Sequence, residues 1–297
     1  MRLVRLFILH LTLIVVVIAC KKKTSTIDVI PDVKKNHLQR NHIFGNVKNL
    51  ESQTFYIHKD SISVSDTSNL KNILECYSPD TYSYQHYTSD GFLMSYAKLD
   101  KEKDTILIRK YRYAPDALIE SWEEFDKFGN CLTYGTYHYD RNRFIESEKI
   151  YKNDSIVISF KYSTDGIGNI VSAIQSFGYL KTKTENKYNE FGLVTKIVEY
   201  EPNGKVFKTA KIEYDNYGDE VNRCVYKSGN QMIEYTYNKY DQQGRQIQTI
   251  FEDRLHNIKE FHYFYKHDKN NNWKYEVCCL DGLIVYVKLR NLEYYEY

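Results

Sequence analysis

A motif recurs at fixed spacing through the second half of the chain. Lys187-Tyr188-Asn189-Glu190-Phe191-Gly192, Glu213-Tyr214-Asp215-Asn216-Tyr217-Gly218 and Lys239-Tyr240-Asp241-Gln242-Gln243-Gly244 are copies of one another. Tyrosines 188, 214 and 240 stand 26 residues apart, and glycines 192, 218 and 244 keep the same interval. Upstream, Lys161 to Asn169 fits with two extra residues and brings Gly168 into the series. Phe125-Asp126-Lys127-Phe128-Gly129 and Tyr87-Thr88-Ser89-Asp90-Gly91 read as earlier relatives. Downstream, Asp268 to Trp273 is a degenerate copy with Asn in place of Gly. A second series of turns falls between, at Asn153-Asp154, Gly178, Asn203-Gly204, Gly229-Asn230, His256-Asn257 and Asp281-Gly282. One period therefore holds two turns and the two segments between them.

Those segments are short, rich in β-formers and partly alternating. Val206, Ala210, Ile212 and Tyr214 share a face with Lys208 among them, and Ile233, Tyr235 and Tyr237 share another. Asp or Asn opens a turn by bonding nearby backbone, and Gly supplies a positive φ. Alternation rather than unbroken apolar runs points to antiparallel strands. The 29 Tyr agree, since Tyr favours half-buried pleated surfaces. The expected fold is all-β: an antiparallel hairpin array, laid out as a meander, an open curved sheet or a partly rolled barrel. A short helix is expected near Ser68 to Leu74.

Tyr240-Asp241-Gln242-Gln243-Gly244-Arg245 resembles the YD repeat of RHS proteins, and the longer arrangement resembles small Gram-negative envelope lipoproteins with RHS-like repeats. In those, a segment similar to Phe44-Gly45-Asn46-Val47-Lys48-Asn49-Leu50 precedes the array, and an Asp-x-x-Gly-Asn-Trp turn like Asp268 to Trp273 often closes it. The resemblance implies a hairpin array without catalytic activity. Large RHS proteins build a shell around a toxic C-terminal domain. This chain is too short to enclose one, and Leu289 to Tyr297 read as another strand.

The N-terminus carries Arg2 and Arg5, then an apolar run from Leu6 to Ala19 that suits a signal-peptide core better than a membrane-spanning helix. Val17-Ile18-Ala19-Cys20 resembles a lipobox, which implies cleavage between Ala19 and Cys20 and acylation of Cys20. The expected organisation is a signal peptide over 1–19, a lipidated cysteine and flexible tether over 20–41, an N-terminal β segment over 42–120, and repeats over 121–297. Several acyl chains on one residue hold a protein stably on a bilayer. Lys21, Lys22 and Lys23 can lie against anionic head groups or serve solubility alone. The address is the cell envelope, on the outer membrane rather than the inner, facing periplasm or cell surface. Formal charge is 41 Lys+Arg against 39 Asp+Glu, and the first 19 residues remove two bases and no acid. A balanced chain lacks the basic surplus of a nucleic-acid binder.

Five further cysteines remain: Cys76, Cys131, Cys224, Cys278 and Cys279. Cys224 with Cys278 or Cys279 is a conceivable cross-strand disulfide, but small buried hydrophobes are the favoured reading. No Cys-x-x-Cys or His-x-x-x-His spacing suggests zinc, and Asp268-x-Asn270-x-Asn272 lacks the Gly and Glu of a calcium loop. No nucleophile elbow, phosphate loop or zinc-protease motif occurs, so no catalytic residue, metal or cofactor is assigned. Glu123 and Glu124 point to opposite faces of a strand and make no acid–base pair.

The aromatic surplus leaves two readings. Most tyrosines serve as cross-strand ladders, each pair adding about 0.2–1 kcal/mol. A row including Trp122, Tyr235, Tyr237, Tyr263 and Trp273 would instead stack on sugars or anchor an envelope protein. The expected function is a membrane-anchored, non-catalytic binding or scaffold lipoprotein working through its Tyr-rich sheet, with glycan binding as the alternative. Its repeat turns rest on Gly168, Gly192, Asp215, Gly218, Asp241 and Gly244.

Overall fold

The computed structural model describes residues 43, 45–57, 74 and 79–296. The expected signal peptide, Ala19, Cys20, the tether and Cys76 lie outside them, as does the expected short helix apart from Leu74, which is helical.

Between the turns, the alternating β-formers pair into a single sheet. Its strands are β1 (Val47–Tyr56), β2 (Thr81–Tyr87), β3 (Leu93–Leu99), β4 (Thr105–Tyr113), β5 (Ile119–Phe125) and β6 (Cys131–Tyr139). There follow β7 (Ile145–Lys152), β8 (Ser155–Thr164), β9 (Ile170–Phe177), β10 (Leu180–Tyr188), β11 (Val194–Tyr200) and β12 (Val206–Tyr214). The last six are β13 (Glu220–Lys227), β14 (Gln231–Tyr240), β15 (Gln246–Asp253), β16 (Ile258–His267), β17 (Trp273–Leu280) and β18 (Leu283–Tyr294). Each strand pairs antiparallel with its neighbour in sequence. β1 also pairs antiparallel with β18, from Val47 opposite Tyr294 to Tyr56 opposite Tyr286. The 18-stranded sheet thus closes into a barrel. An open curved sheet is not what forms, because the segment before the repeats supplies a strand that caps both ends of the meander.

The turns explain the repeat. Twelve connections are the same five-residue loop, in which the first N–H donates to the fifth C=O and the fourth N–H to the first C=O. At Asp215 the carboxylate accepts from the N–H groups of Tyr217 at 2.8 Å and Asp219 at 3.0 Å. Asp241 does the same for Gln243 and Arg245, and Asn189 for Phe191 and Leu193. The fourth residue takes a positive φ, +85° at Gly218 and +72° at Gly192 and Gly244. In the degenerate copy Asn271 fills that place at +64°, and Ala117 does so at +67° in the loop after β4. Asn153-Asp154 and Asp281-Gly282 are two-residue turns with both φ values positive.

Loops after even-numbered strands form one rim, here the tyrosine rim, and those after odd-numbered strands the other. Phe125 to Asn130, grouped by sequence with the tyrosine series, lies on the opposite rim. The same loop type serves both rims, so its signature does not reveal which one it occupies. The extra residues before Asp165 lie within β8, and Gly168 rather than Gly166 takes the left-handed position.

Opposed residues in antiparallel pairs share a face, so the registers carry two faces around the ring. One face holds Arg109, Glu124, Glu148, Ile197, Ile212 and Glu276; the other holds Lys110, Glu123, Lys149, Lys161, Lys183, Lys211 and Lys266. Charged side chains of the first are shielded, Glu124 at 16% and Glu276 at 12% exposure, whereas Lys183 of the second is 45% exposed. The first face therefore looks inward. The outer wall carries lysine on strand after strand, at Lys110, Lys149, Lys161, Lys183, Lys211 and Lys266.

Buried apolar side chains form local clusters in place of one core. Val194, Ile197 and Ile212 pack inside β11 and β12. Ile43, Val47, Leu50 and Tyr87 pack at the tyrosine rim beside the seam. Phe55, Val277 and Val287 lie on the outer face, where Leu74 of the β1–β2 connection covers them. Cys224 on β13 and Cys278 on β17 are separated by three strands, too far for the conceivable disulfide, with neighbouring strands about 4.8 Å apart. All four described cysteines are free; Cys278 and Cys279 are buried, and that burial pushes both thiols up to about 11.

The loop geometry predicts opposite outcomes at two kinds of position. Gly218→Val and Gly244→Val should each cost more than about 1 kcal/mol, because a β-branched residue resists positive φ. Ala117→Gly should gain roughly 0.5 kcal/mol, since the strain there is already present. Denaturation midpoints of the three variants check this; unchanged midpoints would mean the loops are not built this way.

Candidate functional site

The tyrosines that open the repeat turns have a role that β-propensity alone did not suggest. Tyr214 ends β12, and its hydroxyl donates to the C=O of Val194, the first residue of β11, at 2.8 Å. Tyr113 reaches Leu93 at 2.7 Å, Tyr139 reaches Ile119 at 2.9 Å, Tyr188 reaches Ile170 at 2.7 Å and Tyr240 reaches Glu220 at 2.9 Å. In each, the last residue of an even strand latches the first carbonyl of the odd strand beside it. The paired registers stop two residues short of that carbonyl, as at Lys196 opposite Lys211 and Ser95 opposite Lys110, and the ring is long enough to reach it. The 26-residue tyrosine spacing was the available signal, but spacing alone does not separate a latch from a ladder.

Where the latch tyrosine is displaced, a polar centre forms. β8 ends in Thr164, and Tyr162, two residues earlier, turns inward and donates to Glu148 Oε2 at 3.1 Å. Trp122 Nε1 donates to Glu148 Oε1 at 3.4 Å, and the Tyr137 hydroxyl also bonds this carboxylate. One strand further, Arg109 Nη2 meets Glu124 Oε2 at 2.5 Å, and its guanidinium lies 4.4 Å from the Trp122 ring centre. Gly135 faces Trp122, and a Cβ there would run into the indole. Burial pushes the Glu148 carboxyl above the ordinary glutamate range, against the opposing pull of its three donors and of Arg109. Burial by this group also carries the Tyr137 and Tyr162 phenols far above their usual range.

A second inward centre lies beside the seam. The Arg290 guanidinium stacks 3.5 Å from the Trp273 ring centre, and Tyr265 tilts against the same indole. Burial pushes Arg290 down to about 10, and its Nε has no hydrogen-bond partner. Next to it, Glu276 accepts from the Tyr286 hydroxyl at 2.9 Å and from Lys288 Nζ at 3.1 Å.

The proposed aromatic row is divided between the faces. Trp122, Tyr263 and Trp273 point inward, whereas Tyr235 and Tyr237 stand on the outer wall. Both indoles are covered by arginine, Tyr235 bonds Asn222 at 3.1 Å, and Lys239 lies over Tyr237. These five rings make no common surface. Gly168, Gly192, Gly218 and Gly244 all sit at left-handed loop positions, and Asp215 and Asp241 open their loops as drawn from sequence. Among the described residues no group of three or more His, Cys, Asp or Glu is placed to hold a metal. Glu123 and Glu124 are separated by the wall, leaving Glu124 with Arg109 and Glu123 outside.

The raised Glu148 fixes a sign. The folded state holds this proton to higher pH than the unfolded chain does, so stability is lost as pH rises from 4.5, the ordinary glutamate value, through the folded value. Glu148→Gln removes that loss. Thermal melts should show the variant gaining on the parent as pH rises through this window; a constant difference would contradict a shielded Glu148.

No family model matches the chain, and no curated protein matches it. Among solved structures it is similar to a porin-like protein from Bacteroides uniformis, at 11% identity over 84% of this chain and 98% of that one, with a TM-score of 0.45. A porin-like protein from Bacteroides vulgatus gives 11% identity over 84% and 99%, with a TM-score of 0.38. The TcdB2-TccC3 structure gives 12% identity over 84% of this chain and 18% of that one, with a TM-score of 0.35. Likenesses this loose decide nothing further about the chain.

Proposed function

We propose that the chain is a membrane-tethered, non-catalytic binding module of the cell envelope, acylated at Cys20, whose barrel interior takes a polar, hydroxyl-rich ligand such as an oligosaccharide. The observation that carries this reading is the inward face of β4 to β8. There, phenols, carboxylates and an arginine occupy the place where a closed core would hold hydrocarbon. Sugar hydroxyls suit such paired donors and acceptors, which orient a ligand by hydrogen bonding. Closure supports an interior site over a scaffold edge, because a barrel has no free edge strand to add to. Barrels of about this strand number generally enclose space that side chains do not fill.

The experiment presents the purified chain to immobilised oligosaccharides derived from peptidoglycan and surface polysaccharides. Retention by the parent should fall about tenfold, or ~1.4 kcal/mol, in Glu124→Gln and in Tyr137→Phe. Fatty-acid labelling tests the tether separately and should disappear in Cys20→Ala. Absence of glycan retention, with one envelope protein retained instead, would replace this reading by the scaffold one. Undiminished label in Cys20→Ala would remove the anchor.

A further inference from the structure

The strands on either side of the seam carry no acid on their inner faces. The only carboxylates of β18, β1, β2 and β3 are Glu51 and Glu293, and both stand on the outer wall. One row of opposed residues crosses these strands inside: Arg290 of β18 faces Ser52 of β1, Ser52 faces Ser83 of β2, and Ser83 faces Lys98 of β3. Lys98 shares its face with Tyr96, which lies opposite the inward Arg109. Elsewhere on the inner face Arg109, Lys208 and Arg223 each meet a carboxylate, and Lys288, beside Arg290, meets Glu276. Arg290 and Lys98 make no ion pair and no side-chain hydrogen bond among the described residues. Trp273 holds the Arg290 guanidinium by its face at 3.5 Å, so the N–H edge is the part left without a partner. Its Nε is closed off from water, whereas the two Nη nitrogens are not. Lys98 is exposed although it points inward, so the interior beside the row is open.

We infer that this row is an oxyanion site: the Nη pair of Arg290 holds a carboxylate or phosphoryl group of an oligosaccharide, Ser52 and Ser83 donate to the adjoining sugar, and Lys98 attracts a further anionic group along the row. It rests on the proposed glycan-binding reading and names the class of glycan as acidic. The planar fork of arginine matches a two-oxygen anion, and stacking on the indole keeps that fork in one orientation. Burial without a carboxylate partner pulls Arg290 down to about 10. A bound oxyanion supplies the missing partner, whereas a neutral sugar leaves both cations uncompensated. Three strand steps, about 14 Å, separate the backbones of Arg290 and Lys98, a length an oligosaccharide can follow along the wall.

The test follows tryptophan emission of the detergent-solubilised full-length protein at low chloride, because Trp273 lies under Arg290; only the change lost in Trp273→Phe is counted. The probes are trigalacturonate, its methyl ester, maltotriose phosphate and inorganic phosphate. At least one of the two acidic sugars should bind about tenfold or more tightly than the ester, and Arg290→Gln should abolish that advantage while leaving the ester unaffected. The tighter of the two acidic sugars assigns the site to carboxylate or to phosphoryl. Arg290→Lys, which keeps the charge and loses the fork, and Lys98→Gln should each weaken that sugar about threefold, and the outer-wall variant Lys110→Gln should not. Inorganic phosphate should raise the thermal midpoint of the parent and not that of Arg290→Gln, a readout that needs neither emission nor sugar. If Arg290→Gln does not fold, Arg290→Lys and Lys98→Gln carry the comparison. Acidic sugars and ester bound alike, with no effect of Arg290→Gln, would overturn the inference and leave the glycan reading standing. An Arg290-dependent response to phosphate without binding of any sugar would keep the oxyanion site and remove the glycan reading. No Arg290-dependent response to any probe would overturn the inference.

Discussion

Pairing of β1 with β18 turns a meander into a wall without ends. Everything else in the structure is shaped by that closure. A barrel this wide gains no shared hydrocarbon core, so each hairpin must be stabilised where it stands. The repeat supplies that locally: a carboxylate or amide caps the loop N–H groups, a left-handed residue closes the loop, and a tyrosine hydroxyl holds the carbonyl beyond the paired register. Cross-strand pairs add their usual increments along the wall.

Closure also explains the distribution of charge. The outer wall is studded with lysine, and the inner face carries charged groups that are paired and partly shielded. Two arginine–tryptophan stacks, Arg109 on Trp122 and Arg290 on Trp273, stand among those inner groups. Both place an aromatic ring under a cation, an attraction that strengthens as water is excluded. The rings that looked most available for a ligand are thus engaged in holding the wall. The phenols and carboxylates around Glu124 and Glu148 are likewise paired with one another, so a ligand inside would have to exchange those hydrogen bonds for its own.

Much of this was legible in the sequence. Loop positions, left-handed glycines and the hairpin order follow from Asp-x-x-Gly spacing, which has one local solution whatever surrounds it. Less legible was anything that depends on the third dimension. A tyrosine used as a latch and one used as a ladder have the same neighbours in sequence, and Phe125 to Asn130 carries the signature of a rim it does not occupy. Closure itself leaves no local trace, because it pairs Val47 with Tyr294 across nearly the whole chain. Glu148 was missed because its partners lie on neighbouring strands; the displaced Tyr162 was the one hint, visible as two residues too many in a repeat.

The seam can be measured directly. Glu51 and Asn291 face each other across β1 and β18. In a chain carrying Glu51→Cys with Asn291→Cys, mild oxidation followed by peptide mapping should yield an intramolecular crosslink between the first and last strands at any protein concentration. A closed barrel requires that crosslink. Its absence, or a crosslink found only between separate chains, would contradict closure and return the protein to an open sheet with free edges.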